Sequence, residues 1–253
     1  MLRTKFSVIV PTLNEEKNIK SLLNSLDEQT AKNFETIIID GGSTDHTIDI
    51  TKKYKSKVLV ENGLGEYPSR NIGATVAVGD ILIFTCADVI FPPQLFAKIN
   101  QNFKDPELIA LTGPDIPQSS ILANLEYGLY NFFRFLFCLF PGSSKRFSTS
   151  TNFLAVKKDY FEKTGGFIVS DINGDGLMGK SLSKMGKVKF SLATSVLISP
   201  RRFYNMGFSK FNRHYLYVFE NFFPILSKVS FIKKIKTRSG AIHGKMREKS
   251  KNP

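Results

Sequence analysis

The 253-residue chain contains no tryptophan, two cysteines and three histidines. Cys86 and Cys138 are too few for a disulfide framework or a cysteine-based zinc cluster. His46, His214 and His243 form no spaced ligand set; His46 reads as a turn residue and His243 as part of a tail. Also missing is any run of about 20 apolar residues, the length a helix needs to cross a bilayer. The nearest stretch, 121–140, is broken by Asn124, Glu126, Asn131 and Arg134. The apolar residues before Pro11 are too few for a signal peptide. There is no internal repeat and no low-complexity linker. A content of 42% hydrophobic and 23% charged residues excludes wholesale disorder. The expectation is one sizeable domain, or a domain with an appendage, either soluble or attached peripherally to the cytoplasmic face of a membrane.

Acids are scarce beside bases, 22 against 35, for a formal net charge of +13. From Lys228 onward nine lysines and arginines face one acid, Glu248, so +8 of that surplus belongs to the tail. What the chain has in abundance is phenylalanine, 23 in all, with five in residues 120–140 and seven in 203–231.

The first 115 residues alternate apolar runs with helical periods. Residues 6–10 read as a buried strand, and Ile19, Leu22, Leu23 and Leu26 follow on one helical face. Thr12-Leu13-Asn14-Glu15 fits a capping box for that helix. Further strands are predicted at 35–40, 57–60 and 81–84, with helices at 45–54 and 69–78. This alternation argues for a parallel sheet covered by helices, an α/β fold whose ligands bind beyond the carboxyl ends of the strands. In the second half, 120–140 reads as a long aromatic helix, 148–157 as a strand, 175–185 as a short helix and 187–200 as one or two strands. From Arg201 the pattern is helical, aromatic and finally basic.

Chemistry-bearing residues follow the strands. In Asp40-Gly41-Gly42-Ser43-Thr44-Asp45 two glycines permit close backbone approach, and the helix start favours anions. Asp40 can accept hydrogen bonds from a base or ribose; a tight turn with a Ser/Thr cap is the alternative. Asp88, after strand 81–84, is placed for a hard metal ion on a nucleotide diphosphate, or for a turn. Gly174-Asp175-Gly176-Leu177-Met178-Gly179 matches G-x-G-x-x-G, but no apolar strand precedes it and it lies far from the first βα unit, so a dinucleotide reading is rejected. It reads instead as a loop entering a helix, with Asp175 near the helix start.

Taken in order, these stretches resemble glycosyltransferase family 2, the inverting enzymes with the GT-A, Rossmann-like nucleotide-diphospho-sugar transferase fold. The matching stretches are Val8-Ile9-Val10-Pro11-Thr12-Leu13-Asn14-Glu15, Ile39-Asp40-Gly41-Gly42-Ser43-Thr44-Asp45, Ser69-Arg70-Asn71-Ile72-Gly73-Ala74, and Gly79-Asp80 leading to Ala87-Asp88. Weaker matches are Gly165-Gly166-Phe167, Asp175 and Ser199-Pro200-Arg201-Arg202-Phe203. The resemblance implies that Pro11, Asn14, Glu15 and Asp40 line a nucleoside pocket and that Arg70 lies near the donor's phosphate or sugar. It implies that Asp88 binds a divalent ion, Mn2+ or Mg2+, that Asp175 is the general base, and that Arg201 and Arg202 neutralise the departing diphosphate. The alternative for that pair is a solvated basic patch. His214 is a third metal ligand only if the C-terminal segment folds over the site.

Two positions depart from the family pattern. Cys86 stands where the first aspartate of the family's DxD motif is expected, and Gly174 where an acid commonly precedes the base, which leaves Asp171 as a substitute. The resemblance covers a domain of residues 1–208, including an amphipathic helix at about 120–141. Residues 209–253 are expected to form an aromatic, basic membrane-attachment segment of amphipathic helices. The Phe-rich helices suit a bilayer interface, with the alternative that they pack as ordinary core. The expected substrates are a nucleotide sugar, GDP-mannose or a UDP-sugar, and a lipid-linked or glycan acceptor, with no nucleic acid. A catalytically degenerate relative that binds anionic membrane or nucleic acid through its tail is the alternative of a different class. A sugar-nucleotide pyrophosphorylase would carry a Gly-rich basic N-terminal loop, which Pro11-Thr12-Leu13-Asn14-Glu15 is not.

Overall fold

The structure, a computed structural model, describes residues 5–118, 121–139, 149–168 and 174–201, together with Tyr204. The chain divides into two compact units, Met1–Ile198 and Ser199–Pro253, and the fold described is that of the first.

Its centre is β1 (Phe6–Thr12), flanked by β2 (Phe34–Asp40) and β4 (Ile81–Thr85). With β3 (Ser56–Val60), β8 (Phe153–Lys157), β6 (Leu108–Thr112) and β9 (Lys187–Phe190) these make a seven-stranded sheet in the order β3-β2-β1-β4-β8-β6-β9. β3, β2, β1 and β4 run parallel, and β8 is antiparallel to both β4 and β6. Continuous apolar runs such as Val8-Ile9-Val10, all 0% exposed, fit a sheet covered on both faces. β7 (Asp115–Pro117), β5 (Val89–Ile90) and β10 (Val196–Ile198) form a second, three-stranded sheet.

The chain leaves β1 in one direction through β2 and β3 and returns to its other side with β4. The crevice of a doubly wound sheet opens at such a reversal. Here β4 stops pairing with β1 at Ile9↔Phe84, while β2 pairs on to Thr12↔Asp40. Pro11, which has no N–H to donate, lies in the stretch of β1 that β4 leaves uncovered.

Helix α1 (Ile19–Asp27) buries Ile19, Leu22, Leu23 and Leu26, the face that the periodicity defines. The capping box does not form. Thr12 Oγ1 donates to Asp40, the Glu15 N–H donates to Thr47, and the Glu15 carboxylate accepts from the Asn18 side chain at 2.7 Å, so Asn18 at the start of α1 makes no side-chain cap bond. Helix α2 is shorter than expected (Thr47–Thr51), and α3 (Glu66–Thr75) starts a turn earlier, after Gly65 in extended conformation. Gly73 lets α3 settle on the sheet, since a Cβ there would meet Ile9 Cγ2 at 2.4 Å. α4 (Leu95–Asn102) follows the Pro92-Pro93 pair, α5 spans Ile121–Leu139, α6 Lys158–Lys163 and α7 Gly174–Ser183. β8 begins only at Phe153, because residues 149–152 bend away to hold side chains of the site.

Candidate active site

Two loops interlock at the carboxyl end of the sheet. The Asp40 carboxylate, 0% exposed, accepts from Thr12 Oγ1 at 2.8 Å, Gly42 N at 3.0 Å, Ser43 N at 2.7 Å and Ser43 Oγ at 2.6 Å. Asn14, with φ 54°, donates its N–H to Ser43 Oγ and accepts from Thr44 N. Glu15 N donates to Thr47 Oγ1 at 2.8 Å. Burial raises the pKa of Asp45, but hydrogen bonds from Thr47 and from the backbone of Glu16 outweigh it and hold that carboxyl below its usual range. Pro11, Asn14, Glu15 and Asp40 are thus brought to one rim, with Asp40 anchoring the turn that carries Gly41 and Gly42. His46 is exposed at the start of α2, 3.4 Å from Asp49, as a turn residue.

Asp88 is half-buried in the turn between β4 and β5. Beneath it Arg70 is 0% exposed. Its Nη1 meets Glu66 Oε1 at 2.5 Å, and its Nη2 reaches the Thr85 carbonyl at 3.2 Å, Cys86 Sγ at 3.3 Å and the Thr151 carbonyl at 3.4 Å. The guanidinium therefore faces the protein on these sides and presents no exposed fork. Burial opposes its charge, yet the Glu66 carboxylate and the Cys86 thiol raise its pKa further. Glu66 supplies the carboxylate beside Arg70 that Cys86 does not.

Among the described residues no three His, Cys, Asp or Glu side chains converge as a metal cage. A divalent ion that arrives on a nucleotide diphosphate needs only one or two protein carboxylates, the phosphates completing its shell. The hard oxygen donor of Asp88 fits such an ion, whereas the thiol at Cys86 does not favour it.

Asp175 lies in the first turn of α7. Burial raises its pKa, the N–H of Gly176 lowers it, and the Glu66 carboxylate raises it again; the balance is upward. Thr149 Oγ1 donates to the Asp175 carbonyl at 2.6 Å, and Asp175 Oδ1 accepts from Gly176 N at 2.9 Å. Tyr67, stacked on Phe167, has its phenol pKa raised by burial and by the carboxylates of Asp175 and Glu66. Its ring explains Gly174, where a Cβ would meet Tyr67 Cε2 at 2.7 Å.

A buried ion pair stands behind this rim. Asp115 and Arg134, each 1% exposed, meet at 3.2 Å. Asp115 Oδ2 also accepts from Ser150 Oγ and Asn152 Nδ2, both at 3.0 Å. Residues 149–152 thereby connect Asp115 to Asp175 through Thr149 and to Arg70 through the Thr151 carbonyl. Sequence reasoning passed over Glu66, Tyr67 and Asp115. The Glu66–Arg70 spacing of four on a helix was the one local signal available for them.

Arg201 belongs to the second unit, at the start of a helical turn. Arg202, Asp171, His214, His243 and the whole of 209–253 lie outside the described residues. A cavity of about 540 Å³, lined by Lys5, Gly79, Asp80 and Lys158 among others, lies at the amino ends of β1 and β4, away from these groups.

This reversing sheet, with its loops at the carboxyl edge, superposes on solved structures of the GT-A, nucleotide-diphospho-sugar transferase fold. The model of the family "Glycosyl transferase family 2" matches residues 7–164, and the chain belongs to that family. Among relatives it is 36% identical over 130 residues to the poly(ribitol-phosphate) β-N-acetylglucosaminyltransferase TarS of Staphylococcus aureus (strain Mu50), covering 46% of this chain and 23% of TarS. It is 35% identical over 94 residues to a PGL/p-HBAD biosynthesis glycosyltransferase of Mycobacterium bovis (strain BCG), covering 35% of this chain and 37% of that protein. The chain thus spans well under half the length of these relatives. Among solved structures, mannosyltransferase PcManGT from Pyrobaculum calidifontis in complex with GDP-Man and Mn2+ superposes with a TM-score of 0.69 at 19% identity, covering 94% of this chain and 70% of that one. S. aureus TarS 1–349 in complex with UDP-GlcNAc gives 0.61 at 18% identity, covering 93% and 71%.

Proposed function

We propose that the chain is an inverting glycosyltransferase that moves a sugar from a nucleoside-diphosphate sugar to an acceptor hydroxyl. The observation that carries this reading is the position of Arg70: one guanidinium touches Thr85 at the end of β4 and Cys86, two residues before Asp88, and lies within electrostatic reach of Asp175. Donor-side and acceptor-side carboxylates therefore share one small site in a chain of this family.

The interlocked loops at Thr12–Glu15 and Asp40–Thr47 hold the nucleoside in place without reorganising, so the attached sugar is oriented as the donor binds. Asp88 would hold a Mn2+ or Mg2+ ion through one carboxylate oxygen, and such an ion would supply charge neutralisation at the leaving diphosphate. Arg70 adds a fixed positive field from below. Asp175 takes the acceptor proton. Its Oδ1 is engaged by Gly176, which leaves Oδ2 for the hydroxyl, and a raised pKa makes it a stronger base than a solvated carboxylate. Attack from the face opposite the diphosphate inverts the anomeric centre. PcManGT with GDP-Man and TarS with UDP-GlcNAc support either a GDP- or a UDP-sugar donor. The Glu66–Arg70 pair argues against the degenerate reading, because the substitution at Cys86 is compensated.

The test is a thermal-shift panel of GDP and UDP with and without Mn2+, run on the wild type and Asp88→Ala. Metal-dependent stabilisation by one nucleotide, lost in Asp88→Ala, supports the proposal. No stabilisation of the wild type by either nucleotide sinks it.

A further inference from the structure

Helix α5 is amphipathic in the reverse sense. Its polar stripe faces the protein: Arg134 is 1% exposed and bonded to Asp115 and Thr112, Asn131 exchanges two bonds with the Asp115 backbone, and Cys138 reaches the Val188 carbonyl. Its outer face carries Ile121 at 92% exposure, Leu125 at 72%, Leu139 at 63%, Leu129 at 59%, Phe132 at 57% and Leu122 at 50%. At 3.6 residues per turn these six fall within an arc of about 100°. Gly128 borders the strip, nothing lying within 4 Å of where its Cβ would be. A continuous apolar strip of this kind marks an interaction or membrane site.

We propose that this face docks on an anionic lipid bilayer, the helix lying in the plane of the interface. Nothing in the strip offers a hydrogen bond or charge to a protein partner apart from Asn124, and its aliphatic groups are what an acyl boundary accommodates without shape matching. A second copy of the chain would bring two +13 charges together, whereas an anionic surface is attracted by the same charge. No described helix is long and apolar enough to span the membrane, which leaves the in-plane orientation. The opposite face of α5 meets the site through Asn131 and Arg134, both bonded to Asp115, whose carboxylate accepts from Ser150; the adjacent Thr149 donates to the Asp175 carbonyl. Lipid on the outer face therefore lies about one helix diameter, ~10 Å, from the neighbours of Asp175. This deepens the transferase reading, on which it rests: the acceptor is a hydroxyl carried by a lipid-anchored molecule.

The experiment is flotation of the full chain with phosphatidylcholine vesicles containing phosphatidylglycerol, comparing the wild type with a Leu125→Glu/Leu129→Glu double variant. It is repeated at ~0.5 M salt to screen the basic tail. The expected result is a drop of ~100-fold or more in partitioning, from the lost transfer of two leucines into an apolar phase. A Leu125→Ala/Leu129→Ala variant should fall between the two. The thermal midpoint and lipid-free donor hydrolysis should be unchanged, since both positions are exposed and outside the site. Equal partitioning of wild type and double variant, or no binding by the wild type, overturns the proposal. A wild-type dimer that the glutamates dissociate, with no vesicle binding, overturns it in favour of a second copy. Lipid-free donor hydrolysis tests the transferase reading separately from flotation.

Discussion

Replacing Asp115 by alanine tests the strongest energetic inference in the structure. The carboxylate meets Arg134 Nη1 at 3.2 Å and accepts from Ser150 and Asn152 at 3.0 Å, with both charged residues 1% exposed. Arginine cannot shed its proton, so the variant leaves a buried cation. Breaking one side of such a pair costs about 3–5 kcal/mol. Two features reduce that figure. Arg134 keeps Thr112 Oγ1 at 2.9 Å and lies over the rings of Tyr130 and Phe190, 5.3 and 5.0 Å from their centroids. Asp115 Oδ1 is already buried without a hydrogen bond, a standing penalty of about 1–3 kcal/mol that the variant removes. The expected loss is therefore about 2–4 kcal/mol, and at about 2–4 °C per kcal/mol for a domain of this size the midpoint should fall by ~5–15 °C. Urea unfolding followed by circular dichroism measures it. An Asp115→Ala/Arg134→Met double variant should recover part of the loss, because no uncompensated charge remains, with a coupling of about 0.5–3 kcal/mol. A loss under ~1 kcal/mol for Asp115→Ala, or strictly additive singles, would refute the reasoning.

Two further outcomes follow from the site. As the proposed base, Asp175 must be ionised for transfer and its pKa is raised by burial, so the acid limb of kcat against pH should lie above the ordinary carboxylate value of about 3.9 and vanish with turnover in Asp175→Asn. The same shift acts on stability. The folded state holds the Asp175 proton more tightly than the unfolded one, so its contribution is fullest below the unfolded value and is lost as pH rises through the folded one; Asp175→Asn should flatten that slope in pH-dependent melts. At Gly113 an added Cβ would meet the Thr194 carbonyl oxygen at 2.1 Å, a backbone atom that cannot swing aside. Gly113→Ala should lower stability by about 1–3 kcal/mol, read from the same urea titration, and an unchanged midpoint would mean that the turn at Leu192–Thr194 yields freely.

The parts of this molecule legible from its sequence are those where a local rule decides the outcome. Val8-Ile9-Val10 and Ile81–Phe84 are buried on both faces and read as unbroken apolar runs, so the parallel half of the sheet followed from pattern alone. Thr12 and Glu15 misled because a capping box and a cross-loop clamp use the same residues, and only the neighbour at Asp40–Thr47 decides between them. Arg70 looked like a ligand contact by motif, yet its burial follows from where Glu66, Thr85 and Thr151 fall in three dimensions. Helix α5 shows the limit most sharply. Its periodicity separates Asn131, Arg134 and Cys138 from Leu125, Leu129 and Phe132, and a soluble protein would turn the second group inward. What reverses it is a single buried carboxylate, Asp115, which pairs with Arg134 while its backbone exchanges two bonds with Asn131. Once that acid is buried, the cation that neutralises it must be buried too, and a helix that carries the cation inward carries its leucines out.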